Sequence, residues 1–456
     1  MERKSFRIFN DAVWLTLGFL ILQQLISASS TIWITRLIAH IQAGAPSFIW
    51  LGLYLTSLFL HYLPGSFALV QKTKAKYKAD VQFVELFATT YRGRIMEWLN
   101  RDSHNSKSSI LTGEANQTFN EYLDFIYNVS YYGFHVLFNL IILAFVIQPY
   151  LLITYLFGVL LTCIVLKWQK EWKRILTLRA QQGRVKWIAM MLKAWDNVLL
   201  NNRYNLGFWH QKIIKRAKRL IISNVRLEGF SQGVSVIMAF LLLAPSFFLI
   251  CYTAIGRVTD LVWLAMMVVT LPSLFDVMSY SYELLLLLSN YPMQKARLET
   301  VLKLLDPHKL PEISHSQNEL ENRIQWEKLV LSKEGASLSA KHFLSSLPST
   351  GRITLRGENG CGKTSFLLLI KMVEGEAAFY LPPKHDLVFQ LSKNQLSTGQ
   401  LARKTLQELF IHLDNNVILL DEWDANLDRE NSEALSSLID KLSLRACVIE
   451  SRHIKQ

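Results

Sequence analysis

Six apolar stretches set the main limits on how this chain can fold. They lie near residues 13–37, 47–71, 124–147, 149–167, 230–254 and 259–283, and each offers the ~20 residues that a helix needs to cross a bilayer. In hydrocarbon no water can satisfy a backbone N–H or C=O, so the stretches are predicted as helices. With 51% hydrophobic residues, 25 Phe and 12 Trp, the chain is rich in apolar mass, and most of it lies before residue 292. The first stretch follows Arg3, Lys4 and Arg7. It runs on through aromatics and Gln23-Gln24 without a clean small-residue cleavage site, so it reads as a span and not as a signal peptide. Pro64-Gly65, Pro245 and Pro272 fall inside spans, where kinks are expected.

A net charge of +13 suggests nucleic acid at first sight, but its placement argues against that partner. Between Lys167 and Arg226 there are 15 Lys and Arg residues against only Glu171 and Asp196, a local excess equal to the whole-chain value. Residues 72–123 carry eight more basic residues. By contrast, 38–46 has no Lys or Arg, Gln148-Pro149 is an uncharged turn, and 255–258 contributes only Arg257. Positive charge concentrates on the cytoplasmic side of membrane proteins, so both termini and the two long loops are expected there. Within those loops Lys72 to Leu99 and Trp168 to Lys193 read as helices continuing past the spans. Polar interruptions at Asp102 to Gly113 and Asp196 to Gly207 are candidate contact points for a cytoplasmic domain. Cys163, Cys251, Cys361 and Cys447 are too scattered for a disulfide framework or a zinc site.

After Tyr291-Pro292 the composition changes. Residues 1–305 read as the membrane domain, 306–323 as a linker with two prolines, and 324–456 as a second domain of short strands and helices. The second domain holds Gly357-Glu358-Asn359-Gly360-Cys361-Gly362-Lys363-Thr364, a G-x-x-G-x-G-K-T phosphate loop. Arg352 to Arg356 reads as a strand before it, and Ser365 to Met372 as a helix after it. In such a loop, glycines let successive N–H groups face phosphate oxygens. Lys363 adds positive charge, and the Thr364 hydroxyl is placed for Mg²⁺. Val417-Ile418-Leu419-Leu420 then reads as a buried strand delivering Asp421 to its end for the metal. Glu422 beside it can polarise an attacking water.

Leu396-Ser397-Thr398-Gly399-Gln400, Ala425-Asn426-Leu427-Asp428 and His453 complete a set in which the sequence resembles the ABC transporter family. The order is Walker A, an LSGGQ-like signature, Walker B with its glutamate, a D-loop and a switch histidine. Six spans before one cassette resemble an exporter half-transporter. The signature Ser397-Thr398-Gly399-Gln400 and Asp421-Glu422-Trp423 are most like the branch that exports cyclic peptides, microcins and siderophores.

The resemblance implies an all-α six-helix transmembrane domain followed by an α/β P-loop NTPase domain. It implies ATP and Mg²⁺ as cofactors and a homodimer, with a heterodimer as the other option. The activity implied is ATP-driven export of a peptide or similar amphipathic molecule across a bacterial inner membrane. Nucleotide-binding residues would be Gly357 to Thr364, Ser365, Ser397, Gly399, Gln400 and Asp428. Glu422, His453 and Gln390 would be catalytic, with Thr364, Gln390 and Asp421 at the metal. Gln390 ends the apolar run Asp386-Leu387-Val388-Phe389, which reads as a strand.

This chain departs from the family in three ways. Only six positions separate Gln390 from Leu396, where the family inserts a helical subdomain of several dozen residues. No aromatic residue for adenine stacking lies in Leu329 to Gly335; Trp326 is the nearest. Cys361 replaces the usual serine. The alternative reading is a non-hydrolysing membrane protein whose reduced cassette senses nucleotide or mediates dimerisation. Transport would then be absent or driven by protons through His61, Asp276 or Glu283. Ionisable residues in or near spans, among them His61, His135, Asp276 and Glu283, usually face a cavity or a partner. Asp276 and Glu283, seven apart on one helix face, could attract a cationic substrate.

Overall fold

The computed structural model describes residues 6–99, 110–257, 259–305, 313–333, 336–344, 347–383, 387–389, 404–405, 407–409, 411, 415–424 and 429–452. It is mostly helical, with one small mixed sheet. Among the described residues, six helical segments are long and apolar enough to cross a membrane: Asp11–Gln42, Phe48–Tyr91, Ala115–Val146, Tyr150–Met191, Arg203–Gly256 and Leu261–Leu305. Each of the six apolar stretches of the sequence lies in one of them, overrunning its ends by at most two residues, as expected of a multi-pass membrane protein. The chain divides into two compact units. One comprises Met1–Leu86 and Leu111–Lys303; the other comprises Phe87–Ile110 and Leu304–Gln456.

The first unit contains α1 (Asp11–Gln42), α2 (Phe48–Leu60) and most of α3 (Tyr62–Tyr91). The break between α2 and α3 falls at His61, just ahead of Pro64, whose missing N–H cannot bond the Leu60 carbonyl. By contrast, Pro245 and Pro272 lie within unbroken helices. The short α4 (Ile95–Leu99) belongs to the second unit. The first unit resumes with α5 (Ala115–Val146), α6 (Tyr150–Met191), α7 (Ala194–Leu199), α8 (Arg203–Gly256) and α9 (Leu261–Leu302). After α7, Asn201 adopts a left-handed backbone (φ 49°) that reverses the chain into α8.

Leu143, Leu151, Leu242 and Val277 form the core where α5, α6, α8 and α9 meet. Gly158 lets α6 and α8 approach so closely that a Cβ there would sit 2.7 Å from the Leu242 carbonyl oxygen. Small residues commonly permit such approaches between membrane helices. Hydroxyls pair across helices, the buried Tyr155 with Ser281 and the half-buried Thr154 with Ser246 (3.3 Å). Large apolar side chains lie on the surface of the unit, among them Phe48, Phe145, Phe240 and Phe248.

The second unit is built on a six-stranded sheet of β1 (Val330–Lys333), β2 (Ala336–Ser339), β3 (Gly351–Arg356), β4 (Ala378–Leu381), β5 (Val417–Leu420) and β6 (Cys447–Ser451). The strand order is β2-β1-β3-β6-β5-β4. β1 runs antiparallel to both neighbours, and the remaining neighbours pair in parallel. Strands β5 and β6 are buried at every position, as expected of parallel strands covered on both faces.

The flanking helices are α10 (Ile313–Asn322), α11 (Ala340–Phe343), α12 (Lys363–Glu374) and α13 (Arg429–Ser443). Leu320 of α10 is fully buried in the core beside Phe366 and Leu367 of α12, so this part of the stretch read as a linker is packed structure. Ile95, Met96 and Leu99 of α4 pack against the same core.

One sequence expectation changes place. The run Asp386 to Phe389 was expected to be a strand, but Leu387–Phe389 has no strand structure and Val388 is 97% exposed. The edge position is taken by β4, which pairs in register from Ala378↔Val417 to Leu381↔Leu420. Pro382-Pro383 then ends the ladder, because proline has no N–H to donate.

Candidate functional site

Parallel pairing aligns the carboxyl ends of β3, β6, β5 and β4 along one rim of the sheet. Open α/β sheets bind ligands at that rim. The glycine-rich loop leaves β3 at Gly357 and enters α12 at Lys363. Gly360 and Gly362 have positive φ, 85° and 96°. At Gly362 a Cβ would also lie 2.7 Å from the Arg323 carbonyl oxygen, so only glycine fits. Cys361 is buried beneath the loop, and Gln325 N–H donates to its carbonyl at 3.0 Å. Lys363 is 7% exposed and curls back to donate to the Gly357 carbonyl at 2.9 Å. A cation over the N-terminus of a helix is an arrangement that attracts phosphate.

Asp421 lies at the end of β5 and is 1% exposed. Its N–H donates to the Leu381 carbonyl at 3.0 Å, tying it to β4. Its Oδ2 accepts from Thr364 Oγ1 at 2.8 Å and from Tyr380 Oη at 3.0 Å. Ser451 Oγ donates to Oδ1 at 2.7 Å and accepts the Glu422 N–H at 3.0 Å. Thr364 and Asp421, 57 positions apart in the chain, thus face each other as hard oxygen donors. This pair fits Mg²⁺ held jointly with phosphate oxygens, because Mg²⁺ usually takes one or two protein oxygens and leaves the remaining positions to substrate and water. Burial, and next the Asp421 charge, raise the Tyr380 hydroxyl above the usual phenol range, so it stays a neutral donor.

Glu422 has φ 45°, a left-handed backbone that costs a non-glycine residue of order 1–3 kcal/mol. Outliers of this kind cluster at functional sites. Behind the rim, Glu450 is 1% exposed, accepts hydrogen bonds from three residues and makes an ion pair with a fourth. Arg352 grips it with Nε at 3.0 Å and Nη2 at 2.8 Å, and Thr354 Oγ1 and Trp423 Nε1 donate at 3.1 and 2.9 Å. Arg452 Nε pairs with it at 3.0 Å, while its guanidinium lies over the Trp423 ring. Burial pushes the Cys447 thiol up to about 11, so it remains a packing group.

Of the residues singled out from the sequence, Gly357, Glu358, Asn359, Gly360, Cys361, Gly362, Lys363, Thr364 and Ser365 lie on this loop and the first turn of α12. Asp421 and Glu422 follow β5 at the same rim. Gln390, Ser397, Gly399, Gln400, Asp428 and His453 lie outside the described residues. Trp326 packs edge-on against the fully buried Phe366, a core position. Tyr380, Ser451 and Glu450 were not legible beforehand. The pairing of β4 and β6 with β5 brings them to the site, and no local motif marks them.

The first unit holds a cavity of about 310 Å³ lined by Gln23, Tyr62, Ser66, Tyr127, Tyr131 and Tyr132 among others. The buried Gln23 Oε1 has no hydrogen-bond partner among the described residues. Nearby, Tyr280 stacks on Tyr132 at 5.4 Å and meets the His135 ring at 4.2 Å, and His135 Nδ1 lies 3.0 Å from Gln24 Oε1. Asp276 and Glu283 flank Tyr280 on α9, and both are exposed. Comparison with family models and with curated protein sequences returns no match for this chain.

Proposed function

We propose that this chain is an ATP-driven ABC exporter half-transporter that works as a homodimer in a bacterial inner membrane. Both termini and the two basic loops would lie in the cytoplasm. The reading rests first on the meeting of Thr364 and Asp421 beside Lys363 at the carboxyl ends of parallel strands. A P-loop NTPase domain would need these groups together. Six membrane-length helices on the same chain supply the route for a substrate.

In this scheme the loop N–H groups and Lys363 hold the nucleotide phosphates, and Thr364 and Asp421 hold Mg²⁺. Glu422 accepts the proton of the attacking water. Ser397 and Gly399 of the partner subunit would close over the nucleotide, and hydrolysis would then separate the two cassettes. A peptide or other amphipathic substrate suits the tyrosine-lined cavity, which offers both ring faces and hydrogen-bonding groups.

A second reading, a nucleotide sensor or dimerisation module that does not turn over, is favoured by the short interval from Gln390 to Leu396. Measuring ATP hydrolysis by the purified protein in lipid separates the two. Turnover in the native protein is expected, with loss in Lys363→Ala and a fall of about 10²-fold or more in Glu422→Gln, the scale of a general base. Nucleotide binding with no turnover in the native protein would replace the exporter reading with the sensor reading.

A further inference from the structure

We infer that Tyr380 is a positioning residue through which α4 sets the orientation of the Asp421 carboxylate. The inference rests on the nucleotide-site reading of the glycine-rich loop and extends it to regulation. By sequence, α4 lies in the basic loop between the second and third apolar stretches, yet it packs within the sheet-bearing unit. Ile95, Met96 and Leu99 anchor it on the core. Two further contacts join this segment to β4. Arg92 pairs with Glu376 in the turn that precedes the strand. Trp98 meets the Tyr380 ring edge-on, with centroids 5.9 Å apart and planes at 86°.

On the far side of that ring, the Tyr380 hydroxyl donates to Asp421 Oδ2 at 3.0 Å. This is the same oxygen that faces Thr364 Oγ1. Packing does not require the hydroxyl, because a phenylalanine would fill the same space against Trp98. What the hydroxyl adds is a third donor on the carboxylate, beside Thr364 on Oδ2 and opposite Ser451 on Oδ1. The Tyr380 and Thr364 hydroxyls share the two in-plane lone pairs of Oδ2, so the Tyr380 hydroxyl fixes the direction in which Oδ2 faces Thr364. A shift of Trp98 would move the Tyr380 ring and relax that aim.

Groups that orient a metal-ligating carboxylate affect metal affinity by 10–100-fold. The loop would therefore act on the site through metal affinity.

The test uses the full-length protein in lipid nanodiscs with Mn²⁺ and ADP, following Mn²⁺ binding by electron paramagnetic resonance. Tyr380→Phe is expected to weaken Mn²⁺ binding about tenfold while keeping the thermal transition of the native protein. Trp98→Ala is expected to cause a smaller loss. The double variant should match Tyr380→Phe alone, because the effect of Trp98 passes through the hydroxyl. Unchanged Mn²⁺ affinity in Tyr380→Phe overturns the inference and leaves the nucleotide site standing. Full addition of the two losses in the double variant also overturns it, by making Trp98 independent of the hydroxyl. Absence of nucleotide-dependent Mn²⁺ binding in the native protein overturns the nucleotide-site reading, and this inference with it.

Discussion

Two carboxylates of the sheet-bearing unit, Glu422 and Glu450, sit in different surroundings. Glu422 sits on a left-handed backbone at the surface of the site, whereas Glu450 is enclosed by Arg352, Thr354, Trp423 and Arg452. Glu422→Gln should therefore change chemistry and leave the fold intact. Glu450→Ala should do the reverse, because it leaves the largely buried Arg352 guanidinium without its main partner. Breaking a buried ion pair typically costs 3–5 kcal/mol. Since the Asp440 carboxylate also contacts Arg352 at 2.7 Å, a loss near 3 kcal/mol is expected. Thermal unfolding in detergent would measure it, and a native transition would show that Glu450 is dispensable. Only Glu422 could be singled out from the sequence, through its place after an aspartate-ended apolar run. Glu450 carries no such mark, because its role depends on β3 lying beside β6.

Among the elements, helices were easier to read than strands. An apolar run of twenty residues announces a membrane-length helix whatever surrounds it, and α1, α5 and α9 follow directly. A run of four is ambiguous. Both Ala378–Leu381 and Asp386–Phe389 have the composition of a short strand, and only pairing with β5 selects the first. The close approach of α6 and α8 at Gly158 was likewise silent in the sequence, since a single glycine in an apolar run carries no mark of what it faces. Gly158→Ala places a Cβ 2.7 Å from one backbone atom of α8 and 3.1 Å from another, and a backbone yields little. A loss of about 1–3 kcal/mol is expected from such overpacking. A melting temperature equal to that of the native protein would refute that cost.

For the molecule as a whole, the order of spans and basic loops makes a topological prediction. A reporter inserted after Gln148, in the uncharged turn between the third and fourth apolar stretches, should report a non-cytoplasmic location. A cytoplasmic signal would invert or break the six-span arrangement. The division into units is less intuitive, because Phe87–Ile110 lies between membrane stretches in sequence yet belongs with the sheet. That placement underlies the link from Trp98 through Tyr380 to Asp421.

Spans, charge asymmetry and the glycine-lysine loop are written in consecutive residues, because helix length, charge placement and the positive-φ turns at Gly360 and Gly362 are each satisfied by one local stretch. The partners of Asp421 are a different matter. Thr364, Tyr380 and Ser451 come from three separate places in the chain, and only the parallel order β3-β6-β5-β4 brings them to one carboxylate. Strand pairing is a long-range choice made by burial and backbone hydrogen bonding, so those contacts exist only once the sheet has formed.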